Sequence, residues 1–204
     1  MVLLAASAAF IGLVHSLAPG HWLPVVLMAK ARHWPMRKAL FGALLVASGH
    51  ILLSVVLGVI SIYLELHFLE AYEHLIEQFA GLGLIVFGLI YAASSYFRHS
   101  SCHGHTHHGP DPKDQNAPYW FLLSLGFTPC VAAIPIFLTA ASRGSFSALF
   151  SFIAFSCGVL GALISATYFF SKGLLKLDHP IFEHYGDVIT GGSVFVMGAI
   201  LFFF

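Results

Sequence analysis

Thirteen histidines stand in a chain of 204 residues that carries only nine Lys+Arg and nine Asp+Glu. Three of them, His15, His21 and His50, fall inside long apolar stretches, where an ionisable side chain is costly and marks a functional candidate. His15 and His21 bracket a Pro19-Gly20 pair in His15-Ser16-Leu17-Ala18-Pro19-Gly20-His21, and His50 ends Ser48-Gly49-His50. Imidazole is the commonest transition-metal ligand and suits nickel, cobalt, copper and zinc. On a regular helix His15 and His21 would face different ways, but an unwound Pro-Gly between them lets both point into one cavity. Each histidine alone could equally hydrogen-bond a neighbouring helix. Three at one depth, two of them flanking a break, favour a ligand set.

Other residues could extend that chemistry. Ser16, Ser48 and Thr128 are expected as pathway hydroxyls, although such residues often bond only their own helix. Cys130 and Cys157 are soft donors at the same depth, and a buried cysteine is also a common apolar filler. The segment Cys102-His103-Gly104-His105-Thr106-His107-His108 reads compositionally as metal binding, without zinc-finger spacing and with glycines that suit a flexible acceptor. Glu73, His74 and Glu77 form one charged cluster and Glu183, His184 and Asp187 another. These are expected to attract cations at two mouths, or else to be the solvated faces of interfacial segments.

The elements that must hold these residues are membrane helices. The chain is 58% hydrophobic and 9% charged, against about 25% charged in soluble domains. A helix needs about 20 apolar residues to cross the hydrocarbon, and six stretches are expected to do so: Val2–Ala29, Ala39–Leu64, Phe79–Phe97, Tyr119–Ala140, Ser147–Phe170 and Val188–Phe204. The first lacks a positive n-region and is expected to be a span rather than a leader. No alternating pattern suggests a barrel. Proline and glycine break spans one and four, at Pro19-Gly20 and at Phe127-Thr128-Pro129-Cys130. Lys30, Arg32, Arg37, Lys38, Arg98, Lys113, Lys172 and Lys176 fall on one side of this arrangement and Arg143 alone on the other. The positive-inside rule therefore sets both termini outside and the His-rich loop in the cytoplasm of a multi-pass plasma (inner) membrane protein.

The halves resemble each other at an offset of 110 residues: Pro19 over Pro129, Glu73-His74 over Glu183-His184, Glu77 over Asp187, Gly81 over Gly191 and Gly88 over Gly198. A repeat of three spans must be inverted in its second copy, an arrangement found in transporters that bind substrate at broken helices near the midplane. The expected fold is all-α and membrane-integral, with six transmembrane helices as two inverted three-helix repeats and helices one and four broken. Its parts are residues 1–97, a His-rich loop over 98–118, and residues 119–204.

The "HSLAPGH" of span one, the "SGH" of span two, the "GFTPC" of span four and the His-rich loop resemble the NicO family of nickel/cobalt transporters, within the LysE-like superfamily. The resemblance covers essentially the whole chain, and its most specific element is the His-x5-His pair His15/His21. It implies transport of Ni²⁺ or Co²⁺, with His15, His21 and His50 as candidate ligands. Related permeases often carry a Pro-Cys-Pro-like turn in span four, whereas Val131 follows Pro129-Cys130 here. The expected activity is alternating-access transport of a divalent transition metal, not catalysis, with protons as the candidate coupling ion because metal and proton compete for imidazole. The rival reading is a thiol/disulfide electron carrier using Cys130 and Cys157, against which the repeat sets Gly20 opposite Cys130. No His-Glu-x-x-His occurs, and zero net charge offers no basic surface for nucleic acid.

Overall fold

The computed structural model describes residues 1–63, 73–100, 112–128, 130, 133–174 and 180–203; at 73, 74, 76, 77, 98–100, 112–118, 174, 180–184 and 201 it describes the backbone course alone. Every regular element among the described residues is an α-helix: α1 (Val2–Ser16), α2 (Pro19–Ala31), α3 (Met36–Tyr63), α4 (Glu73–Ser100), α5 (Pro112–Leu125), α6 (Ile134–Ser142), α7 (Ser145–Leu174) and α8 (Pro180–Phe203).

The first apolar run divides where Pro19 requires it. Proline disfavours helical geometry in the residue before it, and Ala18 takes φ −56°, ψ 135°. Pro19 then opens α2, where its missing N–H has no intrahelical partner to lose. The axes of α1 and α2 differ by 49°. A broken helix leaves carbonyls that lipid cannot satisfy; here the Trp22 indole N–H donates to the Leu17 carbonyl at 2.9 Å. The expected fourth span divides likewise. The amides of Gly126 and Phe127 close the end of α5 with bonds to Leu122, Leu123 and Ser124, and α6 begins at Ile134.

Among the described residues three stretches are long and apolar enough to cross a bilayer: Met36–Tyr63, Gln78–Phe97 and Ser145–Gly173. The bent α1–α2 pair makes a fourth if it counts as one span. The apolar part of α8, Tyr185–Ile200, is shorter, and α5 and α6 have only 14 and 9 residues. The reason lies in α5's polar opening, Pro112-Lys113-Asp114-Gln115-Asn116, and in the break that separates α5 from α6. The surface has the apolar character of a chain solvated by lipid: Val2, Leu3, Phe79, Phe146 and Phe169 are well exposed, while His50, Ser151, Thr167 and Thr190 are fully buried within a largely apolar core. Several apolar helices that could span a membrane, with an apolar exterior, make this a plausible membrane protein.

Close helix approach depends on small residues. At the α4/α8 contact, a Cβ on Gly88 would lie 2.5 Å from the Phe195 amide nitrogen and 2.8 Å from the Gly191 oxygen. A Cβ on Gly198 would lie 2.7 Å from the Gly81 oxygen. α7 runs against α1, α2, α3 and α6, and Gly12 brings α1 so near that a Cβ there would lie 2.6 Å from the Phe155 oxygen.

Candidate metal centre

The break between α1 and α2 sets two histidines on either side of a two-residue turn. His15 is the penultimate residue of α1, His21 belongs to the first turn of α2, and His50 lies midway along α3. Their rings converge: His15 and His50 are stacked with centroids 5.3 Å apart. His21 stands edge-on to both, 5.1 Å from His15 and 4.8 Å from His50. One ligand nitrogen from each lies within 4.8 Å of the others. His50 is fully buried, His21 is 9% exposed, and His15 is partly buried. The Phe155 ring of α7 lies 6.4 Å from that of His50.

Stacked imidazoles can also be a packing motif, and magnitudes separate the two readings. A ring pair contributes about 0.5–1.5 kcal/mol, whereas each buried polar atom without a partner costs about 1–3 kcal/mol. Both nitrogens of His50 and Nδ1 of His21 make no hydrogen bond of good geometry among the described residues, with the backbone of Thr128 beside His50 and that of Ala18 beside His21. Ring contact alone does not offset a partnerless nitrogen, and a ligand for those nitrogens does. A divalent transition metal fits: metal–nitrogen bonds of about 2.1 Å allow nitrogens up to about 4.2 Å apart, so a contraction of about half an ångström or more from 4.8 Å gathers the set. The donors are uncharged imidazoles, which suit borderline-soft divalent ions better than calcium or magnesium.

Of the expected pathway residues, Thr128 joins this cluster. Its Oγ1 lies 3.5 Å from His21 Nε2 and 3.3 Å from the Leu125 carbonyl, to which it donates. Its backbone lies beside His50. Ser16, next to His15, is fully buried with Oγ unpartnered among the described residues. Cys130 is buried, and its amide donates to Ser54 Oγ at 3.1 Å, tying the second break to α3.

Two of the expected pathway residues lie away from the cluster. Ser48 is exposed and donates to the Leu44 carbonyl of its own helix, and Cys157 is exposed while Cys130 is buried. Both have the expected position along their helices. Helical phase is the reason: at 100° per residue Ser48 falls on the side of α3 opposite the buried Val46, Ala47 and His50. Cys157 likewise leaves the buried face that carries Phe155, Val159 and Ala162.

Asp187 is not an open carboxylate. It accepts from Arg32 through Nε at 3.3 Å and a terminal guanidinium nitrogen at 3.0 Å, and from Tyr91 Oη at 3.4 Å. This bidentate pair ties the end of α2 to α8 and α4, and only a three-dimensional contact across the chain reveals it. The side chains of Glu73, His74, Glu77, Glu183 and His184 lie outside the description, as do Pro129 and the whole of Cys102, His103, His105, His107 and His108. Sequence reasoning also missed Phe155 and four buried hydroxyls of α7 (Ser147, Ser151, Thr167 and Ser171); their four-residue spacing was the available signal.

A scan against protein-family models and searches of curated proteins and solved structures find no match to this chain.

Proposed function

We propose that this chain is a membrane transporter of divalent transition-metal cations, Ni²⁺ or Co²⁺ foremost, which binds its cargo at His15, His21 and His50 and exposes it alternately to the two sides. The observation that carries the reading is the convergence of three imidazoles, two from the ends of a broken helix and one from α3, with one ligand nitrogen of each within 4.8 Å of the others. Cargo and cluster complement each other: the ion supplies what the nitrogens lack, and neutral ligands hold it without a fixed countercharge that would trap it. The likeness to the NicO family in "HSLAPGH", "SGH" and "GFTPC" points the same way.

The transporter has six spans in two inverted repeats, with α1–α2 and α5–α6 as the broken ones. The α4/α8 contact supports this. The repeat equates Gly81 with Gly191 and Gly88 with Gly198, and these glycines meet crosswise, Gly88 against Gly191 and Gly81 against Gly198. Such exchange of equivalent positions is what a two-fold axis between copies produces. The lysine and arginine asymmetry sets the termini outside the plasma membrane and the His-rich loop in the cytoplasm.

The test is flux of Ni²⁺ and Co²⁺ into proteoliposomes, wild type against His15→Ala and His50→Ala. Loss of flux in both, with reconstitution intact, is the expected result; unchanged flux in both refutes the midplane site. Loss only on replacing Cys102–His108 moves the essential chemistry to the loop.

A further inference from the structure

A cleft of about 270 Å³ lies between α4 and the second helix break, lined by Ala80, Gly83 and Phe87 on one side and by Ser124, Phe127 and Thr128 on the other. At about 30 Å³ per water molecule, it has room for a cation with several waters. Small residues on α4 leave it open: a Cβ on Gly83 would meet nothing within 4 Å. One end is shut by aromatic rings. Phe121 of α5 packs on Phe87 at 5.1 Å and on Tyr91 at 4.0 Å. Beyond that layer Tyr91 Oη donates to Asp187, the partner of Arg32. The cleft lies on the side of this layer toward the start of α4, and by the topology proposed above that is the outer side.

Thr128 joins this cleft to the histidines. It lines the cleft, and its Oγ1 lies 3.5 Å from His21 Nε2. The end of α5 that carries it is pressed onto α3, where a Cβ on Gly126 would lie 2.5 Å from the Val46 oxygen. Ser124 Oγ donates to the Phe121 carbonyl at 2.7 Å, and Thr128 Oγ1 to that of Leu125 at 3.3 Å. With both protons engaged, each oxygen keeps lone pairs for a cation or for the O–H of water. A groove between α1 and α7, about 510 Å³ in volume, makes the contrast. Its lining among the described residues is apolar throughout, with Ala6, Ala9 and Phe150 among the residues that form it, and it offers nothing but hydrocarbon contact.

We infer that the cleft is the port through which a divalent cation, still partly hydrated, reaches His21, with Ser124 and Thr128 as hydroxyl ligands on the way. Hydroxyl oxygen is a weaker, harder ligand than imidazole for such ions, so these two residues pass the ion on and the three histidines retain it. The aromatic layer closes the same path on its far side, as alternating access requires of a state open to one face. The ion's identity rests on the metal-transport reading above, whereas entry of water into the cleft does not.

Two measurements separate the port from its cargo. The first is thiol labelling of the full chain in sealed vesicles of either orientation with a membrane-impermeant methanethiosulfonate. Gly83→Cys and Ser124→Cys are made in a Cys102→Ser/Cys157→Ser parent, whose own labelling is subtracted. The control is Leu82→Cys, next to Gly83 along α4 and exposed outside the cleft. Both cleft positions should react from one face only and on the order of tenfold faster than the control, because the reactive thiolate needs water. Rates no greater than that of Leu82→Cys mean a cleft filled by lipid and overturn the inference. The second measurement is Ni²⁺ flux into proteoliposomes with the cleft filled, by Gly83→Phe or by the same reagent attached to Gly83→Cys after reconstitution. Flux should fall about tenfold or more, as on narrowing any pore, while equilibrium dialysis shows Ni²⁺ affinity unchanged. Unchanged flux with the cleft filled overturns the port. A wild-type chain that carries neither Ni²⁺ nor Co²⁺ while the labelling contrast holds supports the water-filled cleft and counts against the proposed cargo. The reagent, added to a chain already folded, covers a failure of Gly83→Phe to fold.

Discussion

The two helix breaks start from similar residues and end with different chemistry. In the first, only Leu17 and Ala18 separate α1 from α2, and His15 and His21 flank the gap at close quarters. In the second, α5 ends at Leu125 and α6 begins at Ile134, a wider interval that brings no histidine. Its contributions are the Thr128 hydroxyl beside His21 and the Cys130 amide bound to Ser54. A sharp break brings two imidazoles together, and a broad one offers a hydroxyl and an anchor to α3. On this view the first break binds and the second supports, a difference that substitutions can measure.

The largest effect is expected at the first break and its partner on α3. Removing one imidazole, by His21→Ala or His50→Ala, should weaken Ni²⁺ binding on the order of a hundredfold or more, since loss even of an outer-shell partner costs about 10–100-fold. Equilibrium dialysis of a chain lacking the His-rich loop ligands reads this directly, and equal affinity in wild type and variant would dissolve the contrast between the breaks. Next comes Pro19→Ala. A helix continued through this point would carry His15 and His21 on different faces, so flux should fall about tenfold or more while the protein still folds, alanine being the strongest helix former. Flux at the wild-type rate would mean that the break is not what gathers the ligands.

At the second break the expected changes are smaller. Thr128→Val removes one hydroxyl from beside His21 and should weaken binding about fivefold, the equivalent of about 1 kcal/mol for a single hydrogen bond. Thr128→Ser should restore it, and a loss as large as that in His21→Ala would promote Thr128 to a full ligand. Away from both breaks, Asp187→Asn removes a pair whose side chains are each about 30% exposed (30% for Arg32, 29% for Asp187). Thermal unfolding in detergent should register at most about 1 kcal/mol, in the range of partly exposed ion pairs. Cys157→Ser should change neither binding nor flux, because the side chain faces outward; a defect there would revive the thiol reading.

The sequence revealed distance along each helix better than direction around it. Pro19 and Pro129 announced breaks because proline constrains its neighbour and lacks an N–H, and hydropathy set His15, His21 and His50 at a shared depth. Their convergence then followed from the break. Direction around the axis depends on which helices pack where, and a single chain does not state that. Ser48 and Cys157 therefore share the depth of the cluster and lie on the outer side of their helices. Asp187 shows the same gap: its charge was legible, whereas Arg32 and Tyr91 reach it only because α2, α4 and α8 meet. The short α5 and α6 also fell short of the expected spans, since apolar content alone does not say where a helix is interrupted.

The most direct measurement is Ni²⁺ stoichiometry in the purified, lipid-reconstituted chain after Cys102, His103, His105, His107 and His108 have all been replaced by serine. One tightly held ion per chain, coordinated by imidazole nitrogen in its X-ray absorption spectrum and lost in His50→Ala, is the outcome predicted here. No bound ion in the loop-substituted chain, or one ion held equally well after His50→Ala, would contradict a metal centre at the helix break.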